Sequence, residues 1–266
     1  MDTVRNQFHP RDPLRHRFIS MALSKKQDAY GRLVYDYFKG APATEIVERD
    51  DGFIAPSGGP VTYFAPFSKW PRFQQRAMPL VRGRVLDVGC GPGRVALYLQ
   101  QRGHSVLAVD NSPLAVQTAR LRGVRDAQVL SVTQLDRRLG MFDTIVLFGN
   151  NFGLMANPKR ARWLLRRFAG MTSDRAVIVA EILDPYDTKV PEHRRYHRRN
   201  RARRRMAGQS RIRVRYKDAV TPWFDYLFVS RVELRRPLAG LALEGHTHSR
   251  LTRTHVYRSF EKGVSL

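Results

Sequence analysis

The residues of this sequence best suited to chemistry are an aspartate and three alternating glycines, in the segment D-V-G-C-G-P-G from Asp87 to Gly93. The apolar run that ends at Val88 predicts a buried parallel strand, and a helical pattern begins at Arg94. Glycine allows positive φ and has no Cβ, so a ligand can press against the backbone of such a turn. The N–H groups at the start of the next helix favour an anionic group at the same place. This segment therefore predicts a nucleotide or nucleoside site.

A second carboxylate, Asp110, ends another apolar run, at the spacing at which dinucleotide-binding folds place the acid that binds a ribose. The glycines do not match the G-x-G-x-x-G pattern of those folds, because its last glycine would fall at position 94, which is Arg94. Asp87 would also repel the phosphate oxygens of a dinucleotide, whereas it suits a ligand that carries an ammonium group. A nicotinamide-dependent reductase is therefore the weaker hypothesis.

The pattern Asp-x-Gly-x-Gly-x-Gly, followed by Asp110 after the second strand, resembles the S-adenosylmethionine site of class I methyltransferases. The resemblance covers residues 80–185 by motif and implies a Rossmann-like α/β fold with a mostly parallel seven-stranded sheet. It implies that the glycine turn lies against the methionine part of the cofactor, that Asp110 binds both ribose hydroxyls, and that Asn111 borders the adenine. The cofactor-binding residues expected on this basis are Asp87, Gly89, Cys90, Gly91, Gly93, Asp110, Asn111, Val132, Asn150 and Tyr35.

Two further strand ends lie where the family places the adenine and the methyl group. A third strand is predicted over Gln128–Val132, without the carboxylate that often binds the adenine amine, so a backbone group would replace that contact. A fourth strand over Phe142–Phe148 runs into Asn150 and Asn151, at the end that faces the methyl group. These asparagines either orient the acceptor or cofactor through their amides, or form a turn, since Asn and Gly favour left-handed conformations.

Helix and strand signals alternate along the chain, which predicts a parallel sheet with helices on both faces. A helix is expected from Asp28 to a stop at Gly40, and the pairs Ser112-Pro113 and Asn157-Pro158 cap two more helices. A fifth strand is expected over Ala176–Leu183. The remaining expected elements are a helix over Trp223–Leu238 and an antiparallel pair of strands, Leu241–His248 and Thr254–Phe260, that closes the sheet.

We expect three regions along the chain. They are a flexible basic extension over 1–27, in which Met21 is an alternative start, a helical and aromatic cap over 28–80, and the cofactor-binding domain over 81–266 with a basic insertion at 187–222. Tyr35, Tyr63 and Trp70 of the cap either place aromatic faces near a sulfonium or make ordinary hydrophobic contacts of a lid.

The insertion carries twelve Lys and Arg residues between Glu192 and Asp218 and no acid. Eight arginines lie between Arg194 and Arg205, and three more alternate with apolar residues as far as Arg215, so that the two kinds face opposite sides of a strand. One interpretation is a basic lid that binds anionic groups or RNA phosphates. The other is a solvated helix beside an edge strand whose charges block aggregation. Tyr196 is the only aromatic residue among the eight arginines, so a base-stacking platform is lacking.

The net charge of the 266-residue chain is +24, and arginine supplies 39 of the 47 basic residues. This bias extends over the whole chain, so a GC-rich genome is the alternative to nucleic-acid binding as its explanation. No apolar run approaches the roughly 20 residues that cross a bilayer. The single cysteine, Cys90, forms no internal disulfide, which favours a cytoplasmic location. His246, His248 and His255 lack a carboxylate or cysteine at ligand spacing, so no metal site is expected.

The expected reaction is direct in-line transfer of the methyl group, which depends on alignment and exclusion of water. The favoured acceptor is a small molecule, with anionic compounds among the options; RNA bound through Arg194–Arg215 is the alternative. A non-enzymatic adenosyl-ligand binder is a third hypothesis. Position alone nominates catalytic residues and bases, namely Asp184, Tyr186, Asn151, His193 and His197.

Overall fold

The structure is a computed structural model that describes residues 23–238, 243–247, 254–255 and 257–260, with side chains as far as residue 234. Most of the expected extension over 1–27, including Met21, and the side chains of His246, His248 and His255 therefore lie outside the described residues. Among the described residues, no helix is both long enough and apolar enough to cross a membrane.

Helices and strands alternate over much of the described chain. The helices are α1 (Ala29–Phe38), α2 (Gly59–Phe64), α3 (Arg72–Ala77), α4 (Arg94–Gln101), α5 (Pro113–Leu121), α6 (Pro158–Ala169), α7 (Pro191–Ala202) and α8 (Arg231–Leu238). The strands are β1 (Ile46–Arg49), β2 (Ile54–Pro56), β3 (Val85–Val88), β4 (Val106–Asp110), β5 (Ala127–Val129), β6 (Phe142–Leu147), β7 (Thr172–Ala180), β8 (Ile182–Leu183), β9 (Gln209–Tyr216), β10 (Ala219–Val220), β11 (Phe224–Leu227), β12 (Leu243–Thr247), β13 (Thr254–His255) and β14 (Tyr257–Phe260).

A parallel sheet in the order β5-β4-β3-β6-β7 forms the centre of the molecule, which confirms the predicted Rossmann-like sheet for these five strands. Its strands are rich in Val, Leu and Ile because both faces are covered. Asp87 pairs with Ala108 of β4 and Val146 of β6, so the ends of these strands lie side by side. The predicted strand over Gln128–Val132 is partly wrong: β5 ends at Val129, because Ser131 instead caps a short 3₁₀ turn.

A second, antiparallel sheet contains β10, β9, β1 and β2, and β11 also pairs with β9. The predicted alternation in β9 is confirmed, since Ile212, Val214 and Tyr216 are buried while the arginines between them are more exposed. The expectation of an edge strand is wrong. β9 is central because β1, from the region before the glycine turn, pairs with it on one side and β11 on the other.

The predicted helix over Trp223–Leu238 is also partly wrong. Phe224–Leu227 forms β11, with Phe224 opposite Ile212, and the helix begins only at Arg231. Pairing with β9 overrides the helical spacing of the apolar residues in this segment. Further on, β12 and β14 form the predicted antiparallel pair, and β14 lies beside β7.

Asp28 connects α1 to the central domain. Its side chain is 1% exposed, and its two oxygens accept hydrogen bonds from the backbone N–H groups of Gly31 and Leu114, both at 2.9 Å. One carboxylate therefore caps α1 and also binds the first turn of α5. The apolar face of α1, at Leu33 and Val34, packs against Val214 and Tyr216 of the second sheet. α1 thus joins the second sheet to the parallel one.

Replacing Asp28 with alanine leaves two buried backbone donors without their acceptor, so we expect the free energy of unfolding to fall by about 2–3 kcal/mol. Urea unfolding followed by circular dichroism measures the change. The matched control is Asp218→Ala, which removes an exposed ion pair with Arg32 and should cost less than about 1 kcal/mol. Equal losses in the two variants would contradict the joining role of Asp28.

Candidate functional site

The glycine turn after β3 is fixed by its two neighbouring strands. The N–H groups of Gly89 and Cys90 donate to the carbonyl oxygen of Val109 at 2.8 and 3.0 Å. From the other side, the Asn151 amide donates to the carbonyl oxygens of Val88 and Gly89 at 3.0 and 2.8 Å. Gly89 has a φ of 72°, and a Cβ there would collide with the Asn151 amide. Asn151 therefore shapes the turn, a role that its position in the sequence did not indicate.

The other two glycines serve different purposes. A Cβ on Gly91, which has a φ of 52°, would collide with the hydroxyl of Tyr30. A Cβ on Gly93 would instead collide with Val124, at the packing contact between α4 and α5. Gly91 thus allows the Tyr30 hydroxyl to lie against the turn, whereas Gly93 allows two elements to pack closely.

Asp110 is 8% exposed at the end of β4. Its two oxygens accept hydrogen bonds from the backbone N–H groups of Gly91 and Ser112, each at 2.9 Å. Burial raises the pKa of Asp110 to about 6, although these backbone hydrogen bonds oppose the rise. A carboxylate oxygen that accepts one hydrogen bond retains a further lone pair, so Asp110 can still accept from a ligand.

Two groups of opposite charge have buried atoms on either side of the turn, one in β3 and one at the start of α4. Asp87 is 2% exposed, and its Oδ2 has no hydrogen-bond partner among the described residues; the same is true of the Nη1 of Arg94. Burial raises the pKa of Asp87 to about 7, while the nearby charge of Arg94 opposes this. Burial also lowers the pKa of Arg94. Unpartnered buried charges of this kind are costly unless a ligand compensates them.

A chain of hydrogen bonds holds Arg94 in place. Its Nη2 donates to the Gln74 side chain at 2.9 Å, and Gln74 donates to Glu181 at 2.7 Å. Glu181 also accepts from the N–H of Gly149 at 2.9 Å, directly after β6. The Arg94 guanidinium lies 4.3 Å from the ring centroid of Trp70, which is buried. Gln74 of α3, and Trp70 just before this helix, therefore lie near the ends of β3, β6 and β7.

Three tyrosines and a glutamate lie beyond the glycine turn, and we call them the tyrosine cluster: Tyr30, Tyr63, Tyr226 and Glu45. Tyr63 donates to Glu45 Oε2 at 2.7 Å, and its ring lies edge-on to that of Tyr30, with centroids 5.5 Å apart. Tyr226 donates to the carbonyl oxygen of Asn150 at 2.6 Å. Burial is the main cause that raises the pKa of all three phenols above the usual value of a tyrosine.

The other residues expected to bind the cofactor differ in their burial and contacts. Asn150 has a φ of 61°, as the turn hypothesis requires, and its buried Oδ1 has no partner among the described residues. Cys90 and Val132 are buried, and Asn111 accepts a hydrogen bond from the N–H of Leu23 at 3.3 Å. Tyr35 is half-buried with Lys39 near its ring. The tyrosine of α1 that contacts the glycine turn is Tyr30, which the sequence analysis did not select.

The bases nominated by position make contacts elsewhere. Asp184 accepts from the N–H of Tyr186, which is 47% exposed and donates through its hydroxyl to Glu233 at 2.6 Å. Thr188 contacts the ring of His193, and burial lowers the pKa of His197 to about 4.

Glu181 lies at the strand end where Asp184 had been expected to act. The fifth strand is expected from the sequence to end at Leu183, whereas β7 ends at Ala180. A strand end three residues earlier would have indicated Glu181. No comparable sequence signal marks Glu45 or Gln74.

The basic insertion separates into two parts. The arginines of β9 have acidic partners, since Arg213 and Arg215 both bind Glu48 and Arg211 lies 3.5 Å from Asp225. The arginines of α7 and the residues after it are mostly exposed: Arg194, Arg195, Arg198, Arg199, Arg201, Arg203 and Arg204. An open groove of about 460 Å³ lies between the β1–β2 turn and α7 and includes none of the expected site residues.

Residues 85–172, about a third of the chain, match the family model described as a methyltransferase domain. This segment begins with β3 and contains the glycine turn, Asp110 and both asparagines after β6. The chain contains a class I S-adenosylmethionine-dependent methyltransferase domain.

Relatives of the methyltransferase domain include two with named acceptors or pathways. The chain is 30% identical over 128 residues to the 2-heptyl-1-hydroxyquinolin-4(1H)-one methyltransferase of Mycobacteroides abscessus. The matched segment covers 43% of this chain and 56% of that protein. The chain is 35% identical over 71 residues to the ubiquinone biosynthesis O-methyltransferase of Xylella fastidiosa, which covers 27% of each. The chain thus matches about half or less of the length of these relatives.

The fold likeness extends well beyond the matched domain. A crystal structure of a methyltransferase from Bacteroides fragilis, in complex with S-adenosylhomocysteine, superposes with a TM-score of 0.76 at 23% identity. The superposition covers 89% of this chain and 96% of that one. The elements on both sides of the methyltransferase domain therefore belong to an arrangement that a solved structure shares.

The raised pKa of Asp87 has a consequence for stability. Between about pH 4 and pH 7 the folded state holds a proton on Asp87 that the unfolded state has released, so the free energy of unfolding falls as the pH rises. In the unmodified protein we expect Asp87 to lower the free energy of unfolding by on the order of 2–4 kcal/mol over this pH range. The Asp87→Asn variant should lack this contribution. Urea unfolding of the ligand-free protein at several pH values measures it.

Asp143→Asn is the contrasting variant. Backbone hydrogen bonding by Arg84 lowers the pKa of Asp143, so its contribution to stability is present at neutral pH and lost as the pH falls below the unfolded value. This variant should lose stability at neutral pH and little at low pH. If the free energy of unfolding of Asp87→Asn changed with pH in the same way as that of the unmodified protein, the raised pKa of Asp87 would be refuted.

Proposed function

We propose that this protein binds S-adenosylmethionine and transfers its methyl group to a small-molecule acceptor. The observation that carries the proposal is the pair of unpartnered buried atoms, Asp87 Oδ2 and Arg94 Nη1. The methionine part of the cofactor ends in an ammonium and a carboxylate, which complement one anionic and one cationic group. A site for an uncharged nucleoside alone would not need either charge.

The residues present fit the rest of the cofactor. The glycine turn carries no Cβ at three positions and lies between Asp87 and Arg94, the groups proposed to bind the ammonium and carboxylate of the methionine part. Asp110 keeps acceptor capacity for ribose hydroxyls. Asn111 and Val132 border the expected adenine position. When bound, the cofactor supplies an electrophilic methyl group on a positively charged sulfur. The protein contributes by aligning the acceptor, by excluding water and by holding the turn rigid through Asn151.

A small hydroxylated acceptor has two supports. One relative is a hydroxyquinolinone methyltransferase, and another is an O-methyltransferase of ubiquinone biosynthesis. In this chain, the tyrosine cluster lies beyond the glycine turn, and its rings and hydroxyls suit a compact aromatic ligand. The acceptor is therefore a small hydroxylated aromatic compound that can contact the rings and hydroxyls of the tyrosine cluster.

Three finer expectations belong to the same proposal. The sheet contains seven strands, with β14 beside β7 and β12 beside β14. The cap over 28–80 and the insertion over 187–222 close over the cofactor. The protein works in the cytoplasm as an enzyme without a metal ion.

Calorimetry with S-adenosylhomocysteine and with 5′-methylthioadenosine, which lacks the amino-acid part, tests the cofactor assignment. We expect Arg94→Met and Asp87→Asn to raise the Kd for S-adenosylhomocysteine by about 10- to 100-fold, because each removes a charged hydrogen bond. The Kd for 5′-methylthioadenosine should change less than about 2-fold, which also shows that the variants are folded. Absence of heat with both compounds would refute the proposal. Equal losses for both compounds would refute the roles of Arg94 and Asp87.

An RNA methyltransferase is the second candidate, because the exposed arginines of α7 form a basic face. Two observations count against it. The arginines of β9 are paired with Glu48 and Asp225, so they are not free for phosphates. The tyrosine within α7, Tyr196, is buried and donates to Asp50 at 2.7 Å, so it offers no stacking surface. The exposed Tyr186 lies near Arg201, but its hydroxyl donates to Glu233.

Formation of S-adenosylhomocysteine with either RNA or a panel of hydroxylated aromatic compounds separates the candidates; the panel includes 2-heptyl-1-hydroxyquinolin-4(1H)-one. We expect product with a panel compound and none with RNA. The double variant Arg198→Ala/Arg199→Ala should leave that rate unchanged, as should the control Arg72→Ala/Arg76→Ala, which removes two exposed arginines of α3. Product with RNA alone, lost in the α7 variant, would favour the RNA methyltransferase.

A further inference from the structure

We propose that Tyr63 and Glu45 form a proton relay that binds the hydroxyl group of the acceptor and removes its proton. The inference rests on the proposed function and assigns its general base. Both residues come from the region before the glycine turn, outside the matched segment 85–172.

The hydrogen bonds around Glu45 determine which way the phenol proton points. Glu45 is 5% exposed, and its Oε2 accepts from the hydroxyl of Tyr63 at 2.7 Å and from the hydroxyl of Ser57. Because the Tyr63 proton is committed to Glu45, the lone pairs of the phenol oxygen are left to accept a hydrogen bond. A hydroxyl of the acceptor is the complementary donor.

Tyr63 lies between the two ends of the site. On one side its ring meets Tyr30, whose hydroxyl lies above Gly91 of the glycine turn. On the other side it interacts electrostatically with Tyr226, whose hydroxyl binds the carbonyl of Asn150 after β6. An acceptor held by Tyr63 is therefore placed over the same strand ends as the expected cofactor.

The charged groups around the relay define the class of acceptor. Tyr30 interacts electrostatically with Glu45 and Asp110, and Tyr226 interacts with Glu45 and Glu181, so charged groups from several elements surround the relay. Burial keeps the phenols protonated, so they carry no charge. Arg94 interacts electrostatically with Tyr30 and Tyr63, but the carboxylates of Glu45, Asp110 and Glu181 outnumber it, so the net charge is negative. Such a site repels a carboxylate and accepts a neutral hydroxyl compound, although the outside of the protein is strongly basic.

The proton balance of the step is complete. As the acceptor oxygen forms its bond to the methyl carbon, the carbon–sulfur bond breaks and its electron pair stays on sulfur. The hydroxyl proton of the acceptor passes to the Tyr63 oxygen, and the Tyr63 proton passes to Glu45. Glu45 then releases this proton to solvent, so the relay returns to its starting state.

The test uses 4-nitrophenol, a hydroxylated aromatic compound that changes colour when it ionises. Difference absorption spectra are recorded with the ligand-free protein and with the protein saturated with S-adenosylhomocysteine, at a pH where free 4-nitrophenol is mostly protonated. The variants are Glu45→Gln, Tyr63→Phe and Ser57→Ala. The controls are Glu192→Gln, an exposed acid of α7, and Tyr37→Phe, whose ring packs against Phe64.

We expect bound 4-nitrophenol to show the nitrophenolate band in the unmodified protein and in both controls. Glu45→Gln and Tyr63→Phe should remove the band and weaken binding by about tenfold or more, and Ser57→Ala should have a smaller effect in the same direction. The Kd for S-adenosylhomocysteine should stay within about 2-fold in every variant, which shows that the fold is intact. 4-Nitrobenzoate should not bind.

No binding of 4-nitrophenol, or a band unchanged in Glu45→Gln and Tyr63→Phe, would overturn the relay. Binding of 4-nitrobenzoate at least as tight as that of 4-nitrophenol would overturn the acceptor class. A protein that binds no S-adenosylhomocysteine but still shows the band would refute the proposed function and leave the relay supported. The two failures are therefore distinguishable.

Discussion

Two buried and oppositely charged atoms are the constraint on which the rest of the site depends: Asp87 Oδ2 in β3 and Arg94 Nη1 at the start of α4. Each unpartnered group costs about 1–3 kcal/mol or more in the ligand-free protein. The fold tolerates this cost because neighbouring elements hold Arg94 in place near Asp87. Gln74 binds Arg94, Glu181 binds Gln74, and Trp70 covers the guanidinium. Stability is thus given up where a charged ligand can restore it.

The elements above the strand ends come from distant parts of the chain. Asp28 ties α1 to α5, and β1 pairs with β9, so residues 28–64 and 209–227 form one structure. This structure carries Tyr30, Glu45, Tyr63 and Tyr226 to the edge of the parallel sheet. The likeness to the Bacteroides fragilis structure, which covers 89% of the chain, indicates that this arrangement is shared.

Charge is distributed oppositely inside and outside the molecule. The chain carries a net charge of +24, and α7 presents most of its arginines to solvent. The interior site is bordered by carboxylates, with Arg94 as the cation that its network holds there. Overall charge therefore describes the surface that a partner first meets, whereas the choice of acceptor depends on buried groups. This separation explains why composition alone pointed towards anionic acceptors and RNA.

The sequence by itself determined the parts of this protein that depend on neighbouring residues. The glycine turn, the acids Asp87 and Asp110, the caps Asp28, Ser112 and Asn157, and the alternation in β9 are all readable because turns, caps and strand faces are set within a few residues. Only the tertiary structure decided that β9 is central, that Phe224–Leu227 is a strand, and that Tyr30, Gln74 and Glu181 reach the site. Contacts such as that between Gln74 and Glu181 join residues 107 positions apart, and hydrophobic periodicity records which face is buried but not which distant partner buries it.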